Sequence, residues 1–600
     1  MKTYSYKEVR LTSGYLFEKQ ELNRKITIDT VYDRFFETGR ISAFDFNYAP
    51  NIEASVKPHY FWDSDVAKWI EGGAYILKHH PEMHELEEKI DSIISKIKEH
   101  QEDNGYFNIY FTVCEPENRF SKRHAHELYC AGHLMEAAVA YAEATGKHEL
   151  LECMEKYAEH IYEVFVVDKS AAFYTPGHEE IELALVRMYR YTGKRKYLDL
   201  AAHFINTRGT ISEDDYPEYT QSHKPVREQT EAVGHSVRAL YLYTGMAYLA
   251  KETDDEELKN ACHILWNDIT THKMYVTGGI GSTKIGEAFT RSYDLPNDTA
   301  YAETCAAISL AFFGNAMLAL ENDAKYADVV ERALYNGVLS GLSIDGQRFF
   351  YTNPLEINLS ERWVGALGKT REFPITQRPA IFGCSCCPPN INRLLPSLGN
   401  YVYGSEDDTL YVNQFISSQL CSDGVCCTQE TDYPSNGIIK LTAKGTAKVS
   451  VRIPSWCEHF TINKPYTLER GYAVVENDGA EITVEFDVKP RLVYADSRVM
   501  RNAGRVCVAR GPVVYCAEGI DNGADLHSYS IPSNPEFHEA YDENLGLYTL
   551  QVACVRETDF GDELYSNRAP QKVRASLKLI PYNCFANRGE TDMIVWLRRE

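Results

Sequence analysis

The chain lacks any long apolar run, so no segment of it is expected to span a bilayer. Its first residues, Met1-Lys2-Thr3-Tyr4-Ser5-Tyr6-Lys7, lack the apolar core of a secretory signal. A cytoplasmic location is the expectation, and with it 16 cysteines kept as reduced thiols rather than as a disulfide framework. Positive charge is scarce: 62 basic residues stand against 86 acidic ones, a net charge of −24. That balance argues against non-specific nucleic-acid binding and against an anionic membrane surface, and leaves neutral ligands such as sugars open. A phosphate loop is lacking too. Gly278-Gly279-Ile280-Gly281-Ser282 is rich in glycine but has no Lys-Ser/Thr ending and no strand before it, and reads as a tight turn.

What is present is enough apolar material for more than one domain: 600 residues, 44% of them hydrophobic. Residues 1–60 read as irregular and aromatic. Helical periodicity begins near Trp62, with Ser64 or Asp65 as the expected N-cap, and continues to about residue 340. Within it a turn followed by an amphipathic helix recurs. The turns are Thr145-Gly146-Lys147, Thr192-Gly193-Lys194, Thr253-Asp254-Asp255 and Glu321-Asn322-Asp323, each preceded by a more apolar helix. Helix pairs repeated in this way build an open solenoid or a closed α/α toroid. The loops between pairs are long and carry His, Tyr and Glu, which favours the toroid, with a cavity at one end. Beyond about Tyr401 the chain turns to β-branched and alternating segments, such as Lys448-Val449-Ser450-Val451-Arg452-Ile453 and Glu481-Ile482-Thr483-Val484-Glu485-Phe486. The C-terminal third is therefore expected to form one or two β-sandwiches.

The densest chemistry lies in Gly383-Cys384-Ser385-Cys386-Cys387-Pro388-Pro389-Asn390. Adjacent cysteines seldom bond to each other, because one trans peptide sets their Cα atoms about 3.8 Å apart. Both can direct thiolates at one soft metal ion. Pro388 and Pro389 stiffen the turn. Tyr301-Ala302-Glu303-Thr304-Cys305 adds a carboxylate and a third thiol. Glu303, Cys305, Cys386 and Cys387 together would make a tetrahedral zinc site of three sulfurs and one oxygen. Buried unliganded cysteines and disulfides are the competing readings of the same residues. Glu287, between Gly286 and Ala288-Phe289, has a setting that raises a carboxyl pKa, against the ordinary reading of any one Glu as a solvated surface group. His126, His178 and His235 each fall near the start of a helix. Singly each reads as a cap or a core residue; all three facing the toroid mouth would not.

Several of these stretches together resemble the β-L-arabinofuranosidases of glycoside hydrolase family 127. They are Gly286-Glu287-Ala288-Phe289, Ala302-Glu303-Thr304-Cys305-Ala306, Phe350-Tyr351-Thr352-Asn353-Pro354-Leu355 and the cysteine loop, with His126-Glu127-Leu128-Tyr129-Cys130-Ala131-Gly132-His133 and Pro176-Gly177-His178-Glu179-Glu180-Ile181-Glu182. The resemblance covers most of the chain, and the cysteine loop with Glu-Thr-Cys is its most specific part. It implies an (α/α)6 barrel followed by two β-sandwich domains, with boundaries placed at 1–403, 404–505 and 506–600. It also implies a retaining exo-hydrolase of β-L-arabinofuranosides. On that resemblance Glu303, Cys305, Cys386 and Cys387 match zinc ligands, Cys386 the nucleophile and Glu287 the general acid/base. His126, His178, His235 and Tyr351 match sugar-contacting positions, and Cys384 and Ser385 receive no role. Two other classes stay open: an α/α-toroid isomerase or epimerase working through the three histidines, and a non-catalytic carbohydrate-binding scaffold, each with a structural zinc. The expected partner is a small carbohydrate, with no nucleic acid and no membrane. Sandwich edges would be natural surfaces for a homodimer.

Overall fold

The structure, a computed structural model, describes residues 1–50, 56–361 and 373–600. In chain order its barrel helices are α1 (Tyr15–Leu22), α2 (Ile28–Glu37), α3 (Trp62–His79), α4 (His84–His100), α5 (Ile109–Val113), α6 (Glu127–Thr145) and α7 (Glu149–Tyr162). They continue as α8 (Ile181–Thr192), α9 (Arg195–Thr207), α10 (Ser236–Thr253), α11 (Glu256–Asp268), α12 (Thr304–Leu320), α13 (Ala324–Arg332) and α14 (Cys387–Leu394). α3, α6, α8, α10, α12 and α14 pack side by side, and α14 returns to α3, so the ring closes into the expected toroid.

Sequence explains the two layers. The inner helices are buried nearly all round: every residue of α6 from Glu127 to Ala142 is inside, which its Ala-rich composition permits. The outer helices bury one stripe, such as Leu150, Leu151, Met154, Tyr157 and Ile161 on α7. Residues 1–50 are less irregular than expected. Ile28, Val31 and Phe35 give α2 an apolar stripe that packs on α3, hidden in the sequence among charged residues. α3 is capped by Phe61 rather than by Ser64 or Asp65. Asp65 is engaged elsewhere: Arg40 donates to it at 2.9 Å.

Each inner helix from α3 to α12 leads to its outer partner by a short turn, at 80–83, 146–148, 193–194, 254–255 and 321–323. Gly146 and Gly193 end α6 and α8 in left-handed conformation, and Asp255 and Asp323 cap the helices that follow. The return connections are long, as at 101–126, 208–235 and 274–303. Antiparallel hairpins therefore place the N-termini of the inner helices at one mouth, under the long connections.

Two six-stranded sheets follow. One holds Tyr403–Glu406, Thr409–Val412, Lys448–Arg452, Tyr472–Glu476 and Tyr466–Glu469, the other Ser417–Ser422, Val425–Thr431, Ile438–Lys444, Ile482–Phe486 and Phe460–Ile462. The N-terminus supplies an edge strand to each, Lys2–Thr3 beside Tyr403–Glu406 and Val9–Ser13 beside Ser417–Ser422. Ile438–Lys444 alternates exposed and buried side chains, as a half-covered strand requires. Cys421 and Cys426 face each other across a hairpin, with Cα atoms 4.3 Å apart, and form a disulfide where reduced thiols were expected. The last strands form a ten-stranded sheet that recruits Glu356–Ile357 from the barrel's connections and closes on itself where Arg505–Arg510 pairs with Val513–Glu518. Phe350 and Phe585, stacked at 5.1 Å, belong to an apolar cluster that fastens this domain to the segments carrying the site.

Candidate active site

Most of the predicted site residues sit at the start of an inner helix. His126 caps α6, His235 caps α10, and His178 lies just before α8. Glu303 caps α12 with Cys305 in its first turn; Cys386 caps α14 and Cys387 is its first residue. The partial positive charges of these helix ends converge on one place, where they favour carboxylates and thiolates. Glu287 and Tyr351 come from the long connections.

Those connections are held by specific bonds. Glu287 has φ 53° after Gly286 at φ 70°, and Ser236 Oγ donates to its carbonyl at 3.1 Å. Ala302, at φ 38°, donates to Gly281 O at 2.9 Å, so the glycine turn does support the site. Asn353 is buried; its Nδ2 donates to Ala302 O and to Thr304 Oγ1, both at 3.0 Å, and this fixes the start of α12. His126 is also left-handed, at φ 60°. Such non-glycine conformations cost about 1–3 kcal/mol each and persist where the surroundings impose them.

Glu303, Cys305, Cys386 and Cys387 come together. Cys305 Sγ lies 3.5 Å from Cys386 Sγ and 3.2 Å from Cys387 Sγ, and the adjacent pair are 3.7 Å apart. Glu303 Oε1 is 3.6 Å from Cys386 Sγ and 3.7 Å from Cys387 Sγ. A tetrahedral ion at ~2.3 Å from sulfur and ~2.1 Å from oxygen needs edges of roughly 3.6–3.8 Å. The four groups thus fit one metal ion, and the second carboxylate oxygen, Oε2 of Glu303, is buried without a partner. Burial opposes ionisation of Cys305, but hydrogen bonds from Cys386 and Cys387 outweigh it and bring its thiol down to about 6. Burial, then the Cys386 charge, push Glu303 well above the carboxylate range.

The three histidines do face one another at the mouth, with ring centres 5.4 Å apart for His126 and His178 and 5.6 Å for His178 and His235. Burial lowers the pKa of all three, so they are neutral at pH 7. Their backbone bonds set the tautomers. Nδ1 of His126 meets His124 O at 2.8 Å and Nδ1 of His178 meets Glu179 O at 2.9 Å; a carbonyl only accepts, so both present Nε2 as an acceptor. His235 is reversed. Its Nδ1 accepts the N–H of Val237 at 3.2 Å, leaving the proton on Nε2, 3.0 Å from Glu287 Oε2. This corrects the expectation for Glu287. Burial pushes its carboxyl up, but the His235 hydrogen bond, aided by Tyr301 and Arg238, outweighs burial and holds it below the usual range. Tyr351 donates to the same oxygen at 3.4 Å.

The groups enclose a cavity of about 190 Å³ lined by His126, His178, His235, Glu287, Glu303, Cys305, Tyr351 and Cys386, with Cys387 fully buried behind. The cavity is small beside the ~300–1,000 Å³ of drug-sized sites and suits one sugar ring. Phe61, Asp65, Lys68, Tyr129, Tyr219, Arg238 and Cys384 also line it and were not anticipated. Nothing in the sequence singled them out: Asp65 and Lys68 sit in a helix that also carries Asp63, Glu71 and Lys78.

The toroid, with thiols and carboxyls gathered at its mouth, is the part of the chain that matches the catalytic domain of a glycoside hydrolase, an enzyme that acts on carbohydrates. The chain belongs to glycoside hydrolase family 127. The family's β-L-arabinofuranosidase catalytic-domain model matches residues 8–400, its middle-domain model 409–487 and its C-terminal-domain model 490–598. The non-reducing end β-L-arabinofuranosidase of Bifidobacterium longum subsp. longum is 37% identical over 591 residues, 90% of this chain and 89% of that one. The crystal structure of a family 127 β-L-arabinofuranosidase from Geobacillus stearothermophilus T6 superposes with TM-score 0.92 at 39% identity, covering 99% of this chain and 100% of that one. A second family 127 β-arabinofuranosidase structure gives TM-score 0.90 at 35% identity, covering 100% and 98%. No helix among the described residues is long and apolar enough to cross a membrane.

Proposed function

We propose that this enzyme is a retaining, exo-acting β-L-arabinofuranosidase in which Cys386 is the nucleophile and Glu287 the general acid/base. The observation that carries this reading is that Cys386 and Glu287 line one cavity, each close to Glu303. Cys386 Sγ is 3.6 Å from Glu303 Oε1, and the carboxylates of Glu287 and Glu303 and a nitrogen of His235 lie within 4.8 Å of one another. Three thiols and a carboxylate are a donor set for zinc, which when bound keeps its thiol ligands deprotonated. Cys386 Sγ attacks the anomeric carbon while Glu287 gives its proton to the departing oxygen. Glu287 then takes a proton from water, which releases the sugar from Cys386; two inversions retain configuration. A carboxyl held low by His235 is a strong acid whenever it carries the proton. His126 and His178 accept hydrogen bonds from sugar hydroxyls on Nε2. Family membership speaks against the isomerase and scaffold alternatives.

Glu287→Gln is the test, because Glu287 is not one of the four groups, Glu303, Cys305, Cys386 and Cys387, that together fit one metal ion. It should cost roughly 10²–10⁴ in rate with a poor leaving group. With a p-nitrophenyl glycoside the first step should be largely spared, a glycosyl-cysteine should accumulate, and azide should restore turnover as a glycosyl azide of retained configuration. An azide product of inverted configuration, or equal damage to good and poor leaving groups, would refute the assignment.

A further inference from the structure

Lys68 is a fully buried cation whose donors are unmet. Its side chain has 0% exposure, yet its ammonium has no hydrogen-bond partner. Asp65 Oδ1 is 3.9 Å away and the centre of the Tyr129 ring 5.1 Å. Other deeply buried cations are answered at close range. Arg208 reaches Glu179 at 2.9 Å and Glu182 at 3.1 Å, and Arg393 reaches Glu71 at 2.8 Å and Glu136 at 2.6 Å. An ammonium has three donors and no acceptor, and leaving them empty in the interior is costly. The polar space that Lys68 adjoins is the catalytic cavity, which it lines.

That cavity is rich in acceptors, with the hydroxyls of Tyr129 and Tyr219 among its neutral donors. His126 and His178 present acceptor nitrogens, and Glu287, Glu303 and the thiolates accept as well. A sugar hydroxyl donates one hydrogen bond and accepts up to two. Acceptor walls accept its hydrogen bond and leave its lone pairs empty. Arg238 is the other cation on the lining; its Nη1 donates to Gly177 O, and its Nε is buried without a partner. We propose that Lys68 is a substrate-binding residue whose ammonium donates to a hydroxyl oxygen of the sugar ring held over Cys386. The proposal rests on the furanosidase reading of the site.

A scan of the sugar hydroxyls in the full-length enzyme tests it, using p-nitrophenyl β-L-arabinofuranoside and its 2-deoxy, 3-deoxy and 5-deoxy analogues. Turnover of the parent by wild type establishes the furanosidase reading; the comparisons that follow bear on Lys68 alone. One analogue should lose about 10–100-fold in kcat/KM on wild type, the range for a hydrogen bond from a charged donor. Lys68→Met should lose a similar factor on the parent, almost nothing more on that analogue, and its full factor on the others. An equal loss on every substrate would overturn the proposal and leave the lysine acting only through its charge on the thiols. Wild-type indifference to every single deoxygenation would overturn it as well, whether or not Lys68→Met folds.

Discussion

The two ends of the toroid are both lined with buried charge, and they differ in how that charge is met. Where the inner helices finish, a cavity of about 540 Å³ is walled by Tyr6, Tyr75, Tyr191, Tyr248 and Tyr401 over Glu71, Glu136, Arg187 and Arg393. There the ions answer one another. Arg393 donates to both glutamates, Arg187 donates to Glu71 at 2.8 Å and also to Glu136, and Tyr75 donates to Glu71 at 2.5 Å. The catalytic mouth holds only about 190 Å³, yet Lys68 and one oxygen of Glu303 lack partners, and His126, Glu287 and Ala302 are left-handed. In its charged groups the larger cavity is the satisfied one, although the hydroxyl of Tyr6 lacks a partner. Size does not mark the site; unmet charged groups and imposed strain do.

If that contrast holds, damage at the catalytic mouth costs chemistry and damage at the far end costs stability. The largest effect expected is from Cys386→Ser, which should lower kcat/KM on an aryl glycoside by on the order of 10⁴-fold or more while far-UV circular dichroism stays native. Metal removal comes next. Protein purified without added metal should carry about one zinc per chain by elemental analysis, and a strong chelator should abolish activity and lower the melting temperature, since a bound ion stabilises the folded state by mass action. Full activity in chelator would remove the metal from the mechanism. Arg393→Met should do the reverse of Cys386→Ser. It leaves Glu71 and Glu136 with an uncompensated buried charge, at a cost of about 3–5 kcal/mol in denaturant unfolding, with little change in kcat of the protein that remains folded.

A smaller effect sharpens the contrast with an intermediate case. Glu127 at the start of α6 has donors, Tyr106 at 2.5 Å and the N–H of Phe120 at 2.7 Å, but no ion-paired cation. Burial raises its carboxyl to about 7. A raised folded value means that the folded state holds the proton more tightly than the unfolded chain. The stability it contributes is full below ~4.5 and is lost as pH rises to about 7. Glu127→Gln should flatten the stability profile across that window, by about 1.4 kcal/mol per pH unit. An unchanged slope would show that Glu127 is ionised in the fold.

Much of the barrel was legible because its signals are local. Gly146 and Gly193 end helices wherever they occur, and a period near 3.6 survives whatever the helix packs on. The edge strands Lys2–Thr3 and Val9–Ser13 were not legible, because a strand of two to five residues is defined by a partner some 400 residues away. α2 was missed because its three apolar positions are diluted by charges. At the site, the thiols and Glu303 announced themselves by density and softness. Lys68 and Arg238 did not, since a lone cation within a helix is read as a solvated one.

By itself the sequence determined the class of the protein: alternating apolar and amphipathic helices that must close in two layers, strands that must pack as sandwiches, and a set of thiols and a carboxylate suited to one soft metal. Those follow from spacing and residue chemistry, which need no partner to be read. The tertiary structure alone decided how the groups act. It placed the helix starts at one mouth and chose which nitrogen of each histidine carries the proton. It set the His235 hydrogen bond against the burial of Glu287, reversing the shift that its neighbours in sequence suggested. Protonation and hydrogen-bond supply depend on distances of about 3 Å between residues far apart in the chain, and only the closed fold sets those distances.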